Sequence, residues 1–164
     1  IGEEKVNSAL RSFLEEFRYK EPPYPTANDF MRHLTPQVPD SLKYLITDWF
    51  DEITLYDLRA KEASYSTSSD GRYVANVELI AKKIKADSIG EAVEVPIADW
   101  VDIGFYKDRD EKQLFYKERI YLNEENMKLE FTLDTIPAKV AIDPMRILID
   151  RISDDNVKIV EFND

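Results

Sequence analysis

The side chain with the most versatile chemistry in this sequence is its one histidine, His33. It lies between Arg32 and Leu34 on a short predicted helix, with no second histidine four residues on and no glutamate beside it. A zinc site of the HExxH type needs two imidazoles on one helical face together with a general base. With no cysteine and only four glycines, the chain also offers no thiolate and no phosphate-cradling loop. We therefore predict that His33 is a packing or surface residue, and that the chain supplies no catalytic, cofactor-binding or metal-binding residue.

Carboxylates are the next candidates for chemistry, because 33 of the 164 residues are acidic. The run Asp150–Asn156 offers oxygen ligands of the kind that calcium prefers, but it lacks the alternating register, the central glycine and the terminal glutamate of an EF-hand. We predict that this run and Asp108–Glu111 are polar turns. Adjacent pairs such as Asp51-Glu52 and Glu124-Glu125 diverge on a helix or strand, so no carboxylate dyad is encoded locally. A dyad of two carboxylates that are distant in sequence and meet on folding remains an alternative.

Aromatic residues are concentrated in two later stretches, Trp100–Tyr106 and Phe115–Tyr121. Rings at such spacing either form a stacking platform for sugars or fill the core between two sheets. Packing in a core is the commoner use of aromatic residues, so the core interpretation is favoured.

The charge balance excludes several classes of partner. The net charge is −11, and no cluster of lysines and arginines is present to neutralise phosphates, so nucleic acid and anionic membrane surfaces are not expected partners. No apolar run approaches the roughly 20 residues of a membrane-spanning helix, so this segment is not expected to insert into a bilayer. The hydrophobic content of 43% predicts a soluble, folded chain rather than a disordered one.

The elements that must position these side chains change type near Asp57. Before it, apolar residues recur at helical spacing, and the pattern predicts about three short helices. The second helix has Thr26 as a predicted N-cap with Asp29 closing a capping box. The third begins with Asp40 or Ser41 as its cap and runs to about Glu52. The apolar face of the first helix comprises Val6, Leu10, Phe13, Leu14 and Phe17.

After this point the apolar residues alternate as in strands. Ser68–Gly71 predicts a hairpin turn, and Met127–Leu133 alternates apolar and polar residues without interruption. Seven or eight strands at this spacing predict an antiparallel β-sandwich. The predicted fold class is therefore α+β: a helical module over residues 1–57, followed by a sandwich of the immunoglobulin or fibronectin III kind over residues 58–164.

The order of several short motifs resembles the C-terminal region of the aminopeptidase-N-like zinc metallopeptidases. In that family a thermolysin-like catalytic domain ends in helices and is followed by a small β-sandwich. The closest likeness is to a bacterial subgroup in which the peptidase-like region is fused to an ABC-type transporter permease. The motifs that carry the resemblance are Ala9–Leu14, Tyr24–Phe30, Leu45–Phe50, Ile53–Asp57, Glu94–Ile97, Val140–Pro144 and Leu148–Arg151.

The resemblance implies a structural role rather than a catalytic one. The zinc ligands and general base of the family lie in motifs that this chain does not contain, so zinc is expected only in the parent protein. Residues 1–57 would then complete the catalytic domain, and the sandwich would support it. Because the chain opens at Ile1 rather than Met, we expect an excised region whose parent is membrane-anchored in a bacterial envelope, with the upstream catalytic domain as its partner.

This hypothesis predicts an apolar docking surface on the helices, with Phe13, Phe17, Trp49 and Phe50 as its candidate residues, and a dimer could form through the same surface. One alternative is an independent interaction module that binds carbohydrate or protein, which predicts exposed aromatic residues on a sheet face. Another is a free-standing enzyme with an unrecognised carboxylate site, which predicts a pocket with converging acids.

Overall fold

The computed structural model describes residues 1–163 and divides into two compact units. The first spans Ile1–Ile53 and is helical, and the second begins at Thr54 and is built from strands. The α+β class and the sandwich predicted from the sequence are both present. The first strand begins at Ile53, earlier than the change of pattern near Asp57 indicates.

The helical unit begins with two α-helices, α1 over Glu3–Phe17 and α2 over Ala27–Leu34. Glu3 and Glu4 lie in the first turn of α1, where negative charge is favourable to the helix dipole. The predicted capping box at the start of α2 is confirmed: the Asp29 carboxylate accepts the Thr26 backbone N–H at 2.8 Å and the Thr26 hydroxyl at 2.9 Å. These hydrogen bonds therefore fix the point at which α2 begins.

The third helical stretch is not one regular helix. It consists of a 3₁₀ turn over Asp40–Leu42, a single α-helical turn, α3, over Tyr44–Ile46, and a π-helical turn over Thr47–Asp51. A further 3₁₀ turn, Thr35–Gln37, follows α2 directly. The Glu52 N–H donates to Thr47 O at 3.0 Å, the five-residue spacing of a π-turn. Apolar spacing predicted the helical stretch, but it does not resolve changes of pitch within it.

Within its described residues, the second unit contains nine strands in two sheets. The first sheet has the order β3-β2-β1-β9 with β6 also paired to β2, and the second has the order β5-β4-β7-β8. The pairs β2–β3, β2–β6, β4–β5, β4–β7 and β7–β8 are antiparallel, whereas β1 and β9 are parallel. The bounds are β1 Ile53–Thr67, β2 Tyr73–Ala86, β3 Ala92–Val95, β4 Asp99–Tyr106, β5 Leu114–Leu122, β6 Asn126–Leu133, β7 Lys139–Ile142, β8 Val157–Ile159 and β9 Glu161–Phe162.

The two sheets enclose a single apolar core. Along β2, alternate residues from Ala75 to Lys83 face inward, as period-two patterning requires. The rings of Phe105 on β4 and Phe131 on β6 meet across the sheets, with centroids 5.1 Å apart and planes at 69°. The side chains that are buried most completely include Leu58, Leu79, Ile103, Phe105, Leu122, Leu133 and Ile142.

One edge of β1 is covered by two pieces of the later chain, β9 and the segment that connects β7 to β8. Its far end pairs with β9, which places Ser64 opposite Glu161. Its near end is covered by the segment that connects β7 to β8. The donors there and their acceptors are Tyr56 N to Ile149 O, Leu58 N to Asp150 Oδ2 and Ala60 N to Asp155 O, each at 2.9 Å.

Candidate functional site

His33 lies on α2 and packs against side chains of α1. Its Nδ1 lies 2.9 Å from Ser12 Oγ, and its Nε2 lies 3.0 Å from Glu16 Oε2 without hydrogen-bond geometry. Its ring makes edge contacts with the rings of Phe13 and Phe17, at centroid distances of 5.9 and 6.4 Å. These contacts join α2 to α1, and they leave the imidazole between two phenylalanines rather than in an open cleft.

The four residues of the predicted docking surface fall into two pairs. Phe13 and Phe17 are half-buried and contact each other at 5.2 Å, and Phe13 also contacts Phe30 of α2 at 5.7 Å. Trp49 and Phe50 lie side by side on the π-helical turn, with 55% and 49% of their surfaces exposed. The first pair therefore joins the helices to each other, whereas the second pair is free to meet another molecule.

The Asp150–Asn156 run forms turns, and the Asp150 carboxylate accepts hydrogen bonds from two backbone N–H groups. Asp150 accepts the Ile152 N–H on one oxygen at 2.8 Å and the Leu58 N–H on the other at 2.9 Å. The buried Asn156 amide, oriented to satisfy both its ends, donates to Asp150 Oδ2 at 3.1 Å and to Leu58 O. Asp150 therefore connects this turn to β1, across 92 residues of sequence.

The charged form of Asp155 is disfavoured in this turn. Its Oδ1 is buried and has no hydrogen-bond partner, and its Oδ2 lies 3.6 Å from Arg59 Nε. Burial raises the pKa of the Asp155 carboxyl, and the negative charges of Asp150 and Asp57 raise it further, against the opposing effect of Arg59. The carboxylates around Arg59 thus repel one another.

The second predicted polar turn is organised by one carboxylate. Asp108 accepts the backbone N–H groups of Asp110, Lys112 and Gln113 at 2.9, 3.1 and 2.8 Å. These hydrogen bonds, led by the one from Lys112, lower the pKa of Asp108. Within residues 1–163, no three histidine or acidic side chains are grouped so that they could hold a metal ion.

The sandwich contains a buried ion pair that the sequence analysis does not predict. Lys83 of β2 lies with Nζ 3.1 Å from both oxygens of Asp99 at the start of β4, and the Tyr56 hydroxyl donates to Asp99 Oδ1 at 3.2 Å. All three residues are buried. The alternation of β2 indicates that Lys83 is buried, because this residue continues the inward-facing series Ala75, Val77, Leu79, Ala81. The pair links the two sheets, and its burial favours a structural role.

The outer face of the second sheet carries a cluster of one carboxylate and two cations that the sequence analysis does not predict. Asp102 of β4, with only 5% of its side chain exposed, accepts two hydrogen bonds from Arg119 and one from Lys117, both on β5. The Arg119 Nε and Lys117 Nζ contacts are each 2.7 Å. Hydrogen bonds from Arg119, and then from Lys117, lower the pKa of Asp102 although burial opposes them. Both cations are thereby held in place.

An exposed aromatic pair lies next to this cluster on the same face. Trp100 and Tyr121 are directly opposite each other on β4 and β5, one cross-strand pair before Asp102 and Arg119 on that face. Their ring centroids are 5.2 Å apart, their planes are inclined at 52°, and 51% and 42% of their surfaces are exposed. Sequence reasoning assigned these stretches to the core, and for Phe105 that is right. For Trp100 and Tyr121 it is wrong, because they lie on the opposite parity of their strands.

A shallow groove of about 690 Å³ runs along β1, β2 and β6. It is lined by side chains of both charges, among them Glu62, Glu130 and Lys158. Glu78 and Lys128, which also line it, form an ion pair across β2 and β6. The lining therefore mixes four glutamates, Glu62, Glu78, Glu130 and Glu161, with two lysines.

The sequence matches no protein-family model and none of the curated proteins. Among the residues that the structure describes, no helix is both long and apolar enough to cross a membrane.

Proposed function

We propose that this chain is a non-catalytic support region of a larger metallopeptidase-like protein. The helical unit docks on the catalytic domain of the same polypeptide, and the sandwich supports that assembly. The parent is a zinc aminopeptidase linked to a transport permease in a bacterial envelope. Zinc and its activated water belong to the upstream domain, and no residue of this chain takes part in that chemistry.

The observation that carries the proposal is the imbalance between burial and exposure in the helical unit. Among the residues that the structure describes, its core contains three buried apolar residues, Ala9, Leu34 and Val38. At the same time it exposes two large aromatic side chains, Trp49 and Phe50, next to each other. A unit of this size gains little stability from so small a core. Paired exposed aromatics are typical of the anchor residues of protein interfaces.

The aromatic pair is also placed well for this role. The π-helical turn that carries it comes at the end of the helical unit, immediately before β1 begins at Ile53. A domain docked on Trp49 and Phe50 would thus contact the chain where the helices give way to the sandwich. This agrees with the position that the family resemblance assigns to the end of the catalytic domain.

The first test is to read the coding sequence upstream of Ile1. We expect an HExxH motif with a downstream glutamate, preceded by several membrane spans. Membrane spans without the zinc motif would leave a peptidase-like fold that has lost its chemistry, and would overturn the zinc peptidase parent. A short signal peptide followed directly by Ile1 would overturn the whole proposal.

The second test is binding of this chain to the separately expressed upstream region. The double variant Trp49→Ala/Phe50→Ala should weaken that binding at least tenfold. The matched control is Tyr19→Ala/Tyr24→Ala, which removes two other exposed aromatic residues of the same unit. Equal loss in both double variants would contradict a specific docking surface. Sedimentation of the chain alone shows whether Trp49 and Phe50 also support a dimer.

A second candidate function is an independent interaction module, and one observation favours it. The pair Trp100 and Tyr121 is exposed on a sheet face, as that hypothesis predicts. Sheet faces with exposed aromatic rings bind ligands that can stack on them. The two candidates use different surfaces of the chain, so variants of one surface test one function without disturbing the other.

A further inference from the structure

We propose that the outer face of the second sheet binds an acidic saccharide, with Trp100 and Tyr121 contacting its sugar rings and Arg119 and Lys117 binding its carboxylate or sulfate groups. This inference rests on the second candidate function and gives it a ligand class. It is independent of the docking surface on the helical unit.

The aromatic half of the site is an exposed pair on a rigid support. Trp100 and Tyr121 project from neighbouring strands of one sheet, and their mutual contact orders both rings before any ligand arrives. About half of each residue stays exposed. Because the planes are inclined at 52°, the rings do not cover each other face to face. The apolar C–H face of a sugar ring can therefore pack against them.

The cationic half of the site is preorganised by a buried carboxylate. Asp102 fixes the two cations with three hydrogen bonds, while 62% of the Arg119 side chain and 43% of the Lys117 side chain stay exposed. Arg119 uses Nε and Nη2 for Asp102, which leaves the Nη1 donors directed elsewhere. One carboxylate against two cations gives the cluster a net charge of +1. An anionic group is the ligand that such donors bind best.

The local charge contrasts with that of the whole chain. At a net charge of −11, most of the surface repels anions, and the Asp102 cluster is a place where two cations are held against one acid. Nucleic acid requires a larger basic surface than two side chains provide. A small anionic ligand with apolar ring faces satisfies both halves of the site. An acidic saccharide has this combination, whereas an acidic peptide lacks the stacking faces.

Gly104 defines where the site ends. It is the next residue of β4 on this face after Asp102, and it is paired with Lys117. A Cβ at this position would lie 2.8 Å from Leu114 Cδ1 and 2.9 Å from Pro144 Cγ, so neighbouring side chains already cover the strand there. The open part of the face thus runs from the Trp100–Tyr121 pair to the two cations. Two residues along a strand span about 7 Å, which suits one or two sugar units.

The test is calorimetric titration of the whole chain with two acidic probes, an oligogalacturonide and a heparin-derived hexasaccharide, and with the methyl-esterified oligogalacturonide as the uncharged match. We expect binding to at least one acidic probe and at least tenfold weaker binding to the esterified one. Trp100→Ala and Arg119→Gln should each weaken acidic binding at least tenfold. Arg119→Lys should restore part of it. Phe162→Ala, which removes an exposed aromatic residue elsewhere in the sandwich, should leave it unchanged.

Other outcomes would overturn the proposal in different ways. Equal binding of the charged and esterified probes would refute the acidic assignment while retaining a saccharide module. Binding of a poly-glutamate peptide that is indifferent to Trp100→Ala would identify an acidic peptide as the ligand instead. No binding of either acidic probe to the unaltered chain would remove this site and leave the helical docking surface untouched. Thermal unfolding of each variant by circular dichroism shows that the fold is kept.

Discussion

The helical unit and the β-sandwich differ most in how they use their aromatic and aliphatic side chains. Among the described residues, the core of the sandwich contains eighteen buried apolar residues and that of the helical unit contains three. The sandwich also contains a buried ion pair, Lys83 with Asp99, whose desolvation must be offset by the apolar burial around it. The helical unit relies instead on half-buried rings and exposed ion pairs, such as Arg32 with Asp29 at 3.0 Å.

This difference indicates which unit is self-sufficient. A core that spans two sheets can stabilise a fold of about 110 residues without a partner. Three buried residues cannot do the same for 53, so we expect the helical unit to gain stability from a partner that covers its exposed aromatics. We therefore expect the two units to respond very differently to the same kind of substitution.

The largest effect is expected from the sandwich core. Phe105→Ala removes a fully buried ring that contacts Phe131 and Tyr116, and should lower the free energy of unfolding of the sandwich by about 3–5 kcal/mol. Phe162→Ala, at a half-exposed position, is the control and should cost less than about 1 kcal/mol. Urea unfolding followed by circular dichroism at the strand wavelength measures both. A loss below about 1 kcal/mol for Phe105→Ala would show that the core is looser than its burial indicates.

A smaller effect is expected in the helical unit. Thr26→Ala removes the hydroxyl of the capping box and should destabilise α2 by about 1 kcal/mol. The exposed neighbour Asn28→Ala is the control. The helical signal in circular dichroism should melt earlier in Thr26→Ala, with the strand signal unchanged. A parallel shift of both signals would show that the two units unfold together, which would remove the contrast between them.

The same cap should make the helical unit sensitive to acid. The backbone N–H of Thr26 is the main cause that lowers the pKa of Asp29. A lowered folded-state pKa means that the stabilising contribution is complete above the ordinary aspartate pKa and is lost as pH falls through the folded value.

The smallest effect is expected at Asp155, and it has the opposite sign. The raised pKa of this carboxyl means that its charged form is penalised in the folded state. Asp155→Asn should therefore raise stability by a few tenths of a kcal/mol at pH 7, since the side chain is partly exposed and solvent screens the effect. The gain should vanish as pH falls and Asp155 itself becomes protonated. Asp154→Asn, fully exposed next to it, should change little. A loss of stability at pH 7 in Asp155→Asn would contradict the penalty.

Period and capping rules predicted much of the fold. The alternation of β6 and the hairpin turn at Gly71, which has a positive φ of 84°, were both readable because each depends on neighbouring residues. The capping box of α2 was readable for the same reason. The mixed pitch of the third helical stretch was not, since 3₁₀, α and π turns share the same apolar residues.

The candidate sites were harder to predict because they depend on pairing across strands. Asp102 is 15 and 17 residues from the cations that hold it, and Lys83 is 16 residues from Asp99. Only the register of β4 with β5 shows that Trp100 meets Tyr121. Similarly, the apolar stripe of α1 could not show that Phe13 and Phe17 would contact α2 while Leu10 and Leu14 of the same stripe stay exposed.

The coverage of one edge of β1 by two late segments also affects the order in which the strands can pair during synthesis. Along this edge, the first part of β1 donates hydrogen bonds to Ile149, Asp150 and Asp155, and its last part pairs with Glu161 and Phe162. A strand that leaves the ribosome among the first of the sandwich thus stays open on one side until almost 100 more residues have been synthesised. Such long-range closure is slow, and an open edge is prone to pair with other chains. During synthesis, β1 is the segment that most needs a chaperone or an already folded neighbour.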